Sequence, residues 1–188
     1  MANVISSSIG SVSLLLPTSA SSVCEGGTVS VVASSTGTPS GYQWYKDGQS
    51  LGSDQRSATL VLFGVQAAQQ GSYVLVVTGS CASVTSTAFT LTVKPLPAVT
   101  LLFNNATVNV NGNNLPVITL TNGVPTTFQV LGGTSYQRLQ ILDRINGYEI
   151  RQVDTNATGV FTVNRPGPYS LTVTDANGCS RTVQGEIR

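Results

Sequence analysis

The ten residues YQWYKDGQSL, at positions 42–51, contain the only tryptophan of a 188-residue chain. Tyr42 and Trp44 stand two positions apart, a spacing that directs both side chains to the same face of a β-strand. Asp47 and Gly48 follow, and this pair tolerates the positive φ angles of a tight hairpin turn. We therefore predict a strand that directs Trp44 into a hydrophobic core and reverses immediately afterwards.

The same period-two spacing of apolar residues recurs through the first half of the chain. It is seen at Val29, Val31 and Ala33; Leu60 and Leu62; Tyr73, Leu75 and Val77; and Phe89, Leu91 and Val93. Turn signals rich in glycine separate these runs. Many short strands at regular spacing predict an all-β sandwich or barrel.

Residues 59–75, TLVLFGVQAAQQGSYVL, span two of the predicted strands. Together with a tryptophan on the third strand, this stretch resembles the strand E to strand F signature of the immunoglobulin family. The resemblance implies that Tyr73 is a corner tyrosine, whose hydroxyl binds the backbone just before strand F. It also implies that Val31 and Leu75 occupy the positions where the family usually has a disulfide. Trp44 would then pack against aliphatic side chains instead of sulfur.

The chain has three cysteines, an odd number that suggests one bridge and one remaining thiol. Cys24 stands in VCEGG and Cys81 in GSC. These contexts resemble the immunoglobulin-like β-sandwich repeats of bacterial secreted or cell-surface proteins of the adhesin type, and the resemblance implies a disulfide between Cys24 and Cys81. The standard topology places the two turns at opposite ends of the domain. Either the strand order is modified or these cysteines are not bridged.

The stretch VKPLPAV, residues 93–99, favours an extended connection, because proline lacks the donor that strand pairing needs. We predict an immunoglobulin-like β-sandwich domain over residues 1–94, a proline-containing linker over 95–98, and a second β-sandwich domain over 99–188. The second domain is expected to be immunoglobulin-like or a related sandwich.

The second domain repeats part of the first. GSYVLVVTGSC, residues 71–81, aligns with GPYSLTVTDANGC, residues 167–179, so that Tyr169 corresponds to Tyr73. No cysteine stands at the position that corresponds to Cys24. Cys179 is therefore predicted to be an unpaired thiol.

Composition argues against several functions. The chain has nine basic and eight acidic residues, a net charge of +1 and no histidine. Scattered basic residues do not favour nucleic acid, and the lack of histidine removes the commonest proton carrier and metal ligand. We expect no enzyme activity, no cofactor and no metal, since turn chemistry accounts for the oxygen atoms of Asp175 and Asn177 without calcium. No apolar run is long enough for membrane insertion, and no signal peptide is evident.

The resemblance implies a structural or adhesive module of a larger exported, extracellular or cell-surface protein, acting as a spacer or a contact domain. Its partners would be neighbouring domains of the same parent chain and an unknown protein or glycan surface ligand. The alternative is a carbohydrate-binding module attached to a secreted hydrolase, for which exposed aromatic rings are needed. Tyr45 alternates with Trp44, and Tyr136 and Tyr148 flank a predicted hairpin of the second domain. These three tyrosines are the candidate ligand contacts.

Overall fold

A computed structural model describes residues 8–15, 21–53, 55–103, 106–108, 114, 126–131, 136–143, 149–154, 160–163 and 167–188. The chain divides into two compact units, Met1–Pro95 and Leu96–Arg188. Each unit is described by itself below.

The described part of the first unit consists of short strands and one turn of 3₁₀ helix, Ala67–Gln69. The strands are β1 (Val12–Leu15), β2 (Ser22–Cys24), β3 (Val29–Ser35), β4 (Gly41–Lys46), β5 (Gln49–Ser50), β6 (Thr59–Leu62), β7 (Gly71–Thr78), β8 (Ser83–Thr85) and β9 (Phe89–Lys94). The all-β fold predicted from the sequence is confirmed.

These strands form two sheets within the residues that the structure describes. The first sheet has the order β1-β3-β6, and all of its pairs are antiparallel. The second has the order β2-β9-β7-β4-β5, with β8 also paired to β7. In this second sheet β2 runs parallel to β9. The chain therefore contributes β1 to one sheet and β2 to the other before the hairpins begin.

Alternation along the strands separates a buried side from an outer side, as the sequence predicts. In β3 the side chains of Val29 and Val31 are buried and those of their neighbours Ser30 and Val32 are exposed. The buried residues of both sheets pack into one core cluster, in which Trp44, Leu60 and several others are inaccessible to solvent. Facing sheets with interleaved apolar side chains are the arrangement of a β-sandwich.

Two local features shape the second sheet. Asp47 and Gly48 have φ angles of 49° and 79°, which confirms the hairpin predicted directly after the tryptophan strand. Between β8 and β9, the hydroxyl of Ser86 accepts a hydrogen bond from the backbone N–H of Leu75 at 3.0 Å and donates to the carbonyl of Thr87 at 2.9 Å. Ser86 thereby bridges the interruption between two strands that both pair with β7.

The described strands of the second unit follow a similar plan. They are β10 (Thr100–Phe103), β11 (Ala106–Val108), β12 (Thr126–Leu131), β13 (Tyr136–Asp143), β14 (Glu149–Asp154), β15 (Val160–Val163), β16 (Gly167–Asp175) and β17 (Ser180–Ile187). In the described residues of this unit, one sheet has the order β11-β10-β12-β15 and the other β14-β13-β16-β17. The second order repeats the hairpin order β5-β4-β7-β9 of the first unit.

The hairpin between β16 and β17 shows the turn predicted at DANG. The carboxylate of Asp175 accepts hydrogen bonds from the backbone N–H groups of Asn177 and Cys179, both at 2.9 Å, and Gly178 has a φ angle of 78°. Leu171 and Val173, the counterparts of Leu75 and Val77, are buried.

Candidate functional site

Trp44 lies in the core of the first unit. Its side chain is fully buried, and its indole N–H donates a hydrogen bond to the carbonyl of Ser57 at 3.0 Å. Val31 and Leu75, at the positions where the family usually has a disulfide, are both fully buried in the same core cluster. The ring of Phe89 meets the indole edge-on at 6.5 Å between centroids. This contact of Phe89 could not be predicted from the alternation of its own strand, because it joins residues of two different strands.

Tyr73 secures the turn that precedes β7. Its hydroxyl donates to the carbonyl of Gln69 at 2.6 Å, and its ring stacks on Phe89 with centroids 5.2 Å apart. Burial raises the pKa of Tyr73 above its ordinary value of 10.0, and the negative charge of Asp47 adds to the rise. A protonated, hydrogen-bonded phenol is suited to a structural role and not to proton transfer near neutral pH.

Asp47 joins the hairpin after β4 to the start of β7. One carboxylate oxygen accepts the backbone N–H of Ser72 at 2.8 Å, and the other lies 2.7 Å from the ammonium of Lys46. The hydrogen bond from Lys46, followed by that from Ser72, holds the pKa of Asp47 below its ordinary value of 3.8. With both oxygens paired, the Asp47 carboxylate acts as a clamp that holds the hairpin after β4 against the start of β7.

Tyr45 lies on the outer face of the second sheet, opposite to Trp44, and is half-buried. It stands beside Val74 of β7, and the next outward pair on the same two strands is Gln43 and Val76. The amide nitrogen of Gln43 donates to the carbonyls of Trp44 and Gly52 at 3.0 and 3.1 Å.

No second aromatic ring accompanies Tyr45 on the outer face of β4, β7 and β9, all of which the structure describes. A flat sugar platform would need such a ring beside it. This face therefore offers one half-buried tyrosine among aliphatic and amide side chains.

The tyrosines of the second unit are placed only by their backbone. Tyr136 begins β13 and pairs with Asp175, and Tyr169 in β16 pairs with Gly185 of β17 and Asp143 of β13. Tyr148 lies outside the described residues. The role of Tyr45, Tyr136 and Tyr148 as ligand contacts remains a prediction.

The cysteine assignments made from the sequence are wrong. Cys24 and Cys179 are each disulfide-bonded, whereas Cys81 is an exposed free thiol. The predicted bridge between Cys24 and Cys81 is therefore not formed, and Cys179 is not the unpaired thiol. Cys179 is also fully buried.

Strand direction explains why Cys24 and Cys81 do not meet. Cys24 pairs with Lys94 at the end of β9, and Cys81 lies three positions after Thr78, the last residue of β7. Because β9 runs antiparallel to β7, with Leu91 opposite Gly71, the end of β9 lies beside the beginning of β7. The length of β7 puts roughly 20 Å between the two cysteines, at about 3.3 Å per residue. A disulfide needs Cα atoms about 4.4–6.8 Å apart.

The described residues contain no group of three or more His, Cys, Asp or Glu side chains that could hold a metal ion. The backbone N–H groups of Asn177 and Cys179 donate to one carboxylate oxygen of Asp175, and the side-chain amide of Asn177 donates to the other at 3.5 Å. This is the turn chemistry expected of Asp in a hairpin. No described helix is both long and apolar enough to span a bilayer.

Comparison with known protein families identifies the first unit. Residues 15–95, from the end of β1 to the residue after β9, match the family model described as "Ig-like domain CHU_C associated". The first unit is an immunoglobulin-like domain. Its sheet order places the tryptophan strand β4 beside β7 in the larger sheet, the arrangement of strands C and F in immunoglobulin domains.

Two solved structures are also similar to the chain. The three N-terminal domains of the bacteriophage RB49 Highly Immunogenic Outer Capsid protein (Hoc) are 17% identical, with a TM-score of 0.44, and the match covers 96% of this chain. This chain spans 59% of that Hoc structure. Murine CEACAM1b is 10% identical with a TM-score of 0.40, and the match covers 95% of this chain and 99% of that one. The search of curated proteins finds no match to the sequence.

Proposed function

We propose that this chain is a non-catalytic structural or adhesive module of a larger exported cell-surface protein, acting as a spacer or as a contact domain. The observation that carries the proposal is the immunoglobulin-like domain closed around Trp44. Domains of this family are generally non-catalytic. The side chains with shifted pKa values in the first unit, Asp47 and Tyr73, both serve turns of the fold.

The disulfide chemistry supports an oxidising location. Cys24 and Cys179 are disulfide-bonded, and disulfides persist mainly in secreted, periplasmic or surface proteins. The resemblance of the cysteine contexts to bacterial surface repeats also supports a location outside the cytoplasm. Neighbouring domains of the parent protein, and a protein or glycan on another surface, are the partners we propose.

Surface labelling tests the location. An antibody raised against the chain should bind intact source cells, or protein in their medium, and external protease should remove the signal. Binding only after lysis would overturn the proposal. A cytoplasmic protein of known abundance, probed in parallel, controls for leakage.

Replacing the module distinguishes a spacer from a contact domain. In the parent protein, residues 1–188 are exchanged for an unrelated pair of immunoglobulin domains of similar length. A spacer leaves adhesion unchanged, and a contact domain loses it. If adhesion is lost, Tyr45→Ser in the native module tests the outer face of the second sheet, with exposed Thr90→Ser on the same sheet as the matched control.

The carbohydrate-binding alternative has less support, because Tyr45 has no second ring beside it on the described face. Binding of the purified chain to soluble polysaccharide, abolished by Tyr45→Ser, would favour that alternative over the adhesive module.

A further inference from the structure

The outer face of the first sheet exposes apolar side chains that core packing does not explain. Leu15, Val32 and Phe63 have exposed fractions of 64%, 42% and 76%. Leu15 of β1 stands directly opposite Val32 of β3, and Val61 of β6 is half-buried on the same outer face. Leu60 and Leu62, which alternate with Val61, point into the core. The apolar side chains of this face thus extend to its β6 edge.

The β6 edge presents backbone groups that no described strand pairs with. In the described part of the chain β6 pairs with β3 alone, so its other side is an edge of the sheet. The N–H of Ala33 donates to the carbonyl of Ala58 at 2.8 Å, which places the next hydrogen-bonded pairs at Leu60 and Leu62. The N–H and C=O groups of Thr59 and Val61 therefore point away from β3, and continuing the same alternation for one residue beyond β6 directs those of Phe63 to the same side.

Ser57 closes one end of this edge. Its hydroxyl donates to the carbonyl of Thr59 at 2.5 Å and accepts the N–H of Thr59 at 3.2 Å. The backbone groups of Val61 and Phe63 make no hydrogen bond to other described residues on the outward side. The open part of the edge is thus short and begins at Val61.

The sequence around this edge lacks the usual protection. Edge strands commonly carry Lys, Pro or an inward charge that prevents pairing with another chain. No charged residue occurs between Arg56 and Lys94, and no proline occurs between Pro39 and Pro95. Two copies of the edge would therefore approach without like-charge repulsion. A second copy supplies the same neutral edge, and an edge strand that pairs antiparallel with its own copy about a twofold axis is self-complementary.

We propose that β6 is a self-association edge, at which two copies of the chain pair antiparallel about a twofold axis and join their first sheets into one. Val61 of one copy stands opposite Phe63 of the other, so that the N–H and C=O groups of both residues are satisfied in both copies. Thr59 keeps its bonds to Ser57 in this register. Each Val61 side chain meets a Phe63 ring across the pair, a favourable β-branched and aromatic contact.

The twofold axis closes the assembly. A closed, isologous pair uses the same patch on both copies, whereas pairing of β6 with the opposite edge β1 would build an open filament. So short an edge buries less than about 1,200 Å², which places the pair in the weak and transient class. Such association is suited to modules held at high local density, where many weak contacts act together.

Sedimentation equilibrium of the full chain tests the proposal. Cys81→Ser is used throughout, because the exposed thiol would otherwise form covalent dimers. Over about a hundredfold range of concentration, the chain should pass from monomer to dimer and no further. A chain that stays monomeric, or that forms larger open assemblies, overturns the proposal.

Paired charges test the register. Val61→Glu with Phe63→Glu places like charges opposite each other across the pair, and Val61→Glu with Phe63→Lys places opposite charges there. The first double variant should dimerise at least about tenfold more weakly than the second, a difference of about 1.4 kcal/mol. Equal affinities would show that these residues do not face each other.

Two controls complete the design. Thr90→Glu with Thr92→Lys adds the same charges to exposed positions of the other sheet and should leave dimerisation unchanged. Fluorescence of the single tryptophan shows that each variant remains folded. Loss of dimerisation in this control would show that the dimer contact lies on the second sheet and would overturn the proposal.

Discussion

The carboxylate of Asp47 accepts a hydrogen bond from the backbone N–H of Ser72, 2.8 Å away and 25 positions later in the sequence. The backbone N–H of Asp47 returns a bond to the carbonyl of Ser72, also at 2.8 Å. This reciprocal pair fastens the hairpin after the tryptophan strand to the first residues of β7. A local turn and a long-range strand pairing thus stabilise each other.

Asp47→Asn should make the stability of the chain less dependent on acid pH. Asparagine tolerates the positive φ angle of this position and lacks the titrating carboxylate. Since the folded-state pKa of Asp47 is lowered from 3.8, its contribution is present above that pH and is lost as the pH falls through the lowered pKa. Urea unfolding between neutral pH and pH values below 3.8 measures this. Identical pH profiles for the two proteins would contradict the clamp.

Gly71→Ala should destabilise the chain more than Gly48→Ala. Both glycines have positive φ angles, 152° and 79°, but a Cβ at Gly71 would overlap the Asp47 carboxylate, whereas one at Gly48 meets open space. We expect a loss of about 1–3 kcal/mol at Gly71 and about 1 kcal/mol at Gly48. Adding Asp47→Ala should recover part of the Gly71→Ala loss in a double-mutant cycle. Strict additivity would show that the two side chains do not meet.

Leu75→Ala should cost about 2–5 kcal/mol of unfolding free energy, because it leaves a cavity in the fully buried site beside Trp44. Val76→Ala, on the same strand but the outer face, is the matched control and should cost much less. Both values come from urea unfolding followed by tryptophan fluorescence. Comparable costs would mean that the two faces of β7 are wrongly assigned.

Thiol titration checks the cysteines. The native chain should react with a maleimide once, at Cys81, and Cys81→Ser should not react at all. Reduction and denaturation should expose all three thiols of the unmodified chain. Intact mass with peptide mapping identifies the labelled residue. Labelling of Cys24 or Cys179 in the native chain would contradict the structure.

Much of the first unit follows from local sequence pattern. Period-two spacing is a property of each strand alone, so the burial of Trp44 and Leu75 could be predicted without knowing their neighbours. The turn at Asp47 and Gly48 is local in the same sense, because it depends on the φ preferences of two residues. The contact of Tyr73 with Gln69 spans only four positions and accompanies a family signature.

What the sequence did not reveal depends on pairing between distant strands. The parallel pairing of Cys24 with Lys94 joins residues far apart in the chain, so sequence pattern alone could not decide between a modified strand order and two unbridged cysteines. The second role of Asp47, as acceptor for Ser72, needs the same long-range information. The open edge at Val61 could not be predicted either, since an edge is defined by the absence of a neighbouring strand.

Hydrogen exchange of the Trp44 indole N–H is the most direct test of the sandwich. The chain has one tryptophan, so its indole resonance is unambiguous, and the N–H lies in the core bonded to Ser57. We predict that this proton exchanges only with global unfolding, at the rate of the slowest backbone amides of β4 and β7. Exchange within the dead time in native buffer would place the indole in solvent and contradict the immunoglobulin-like core.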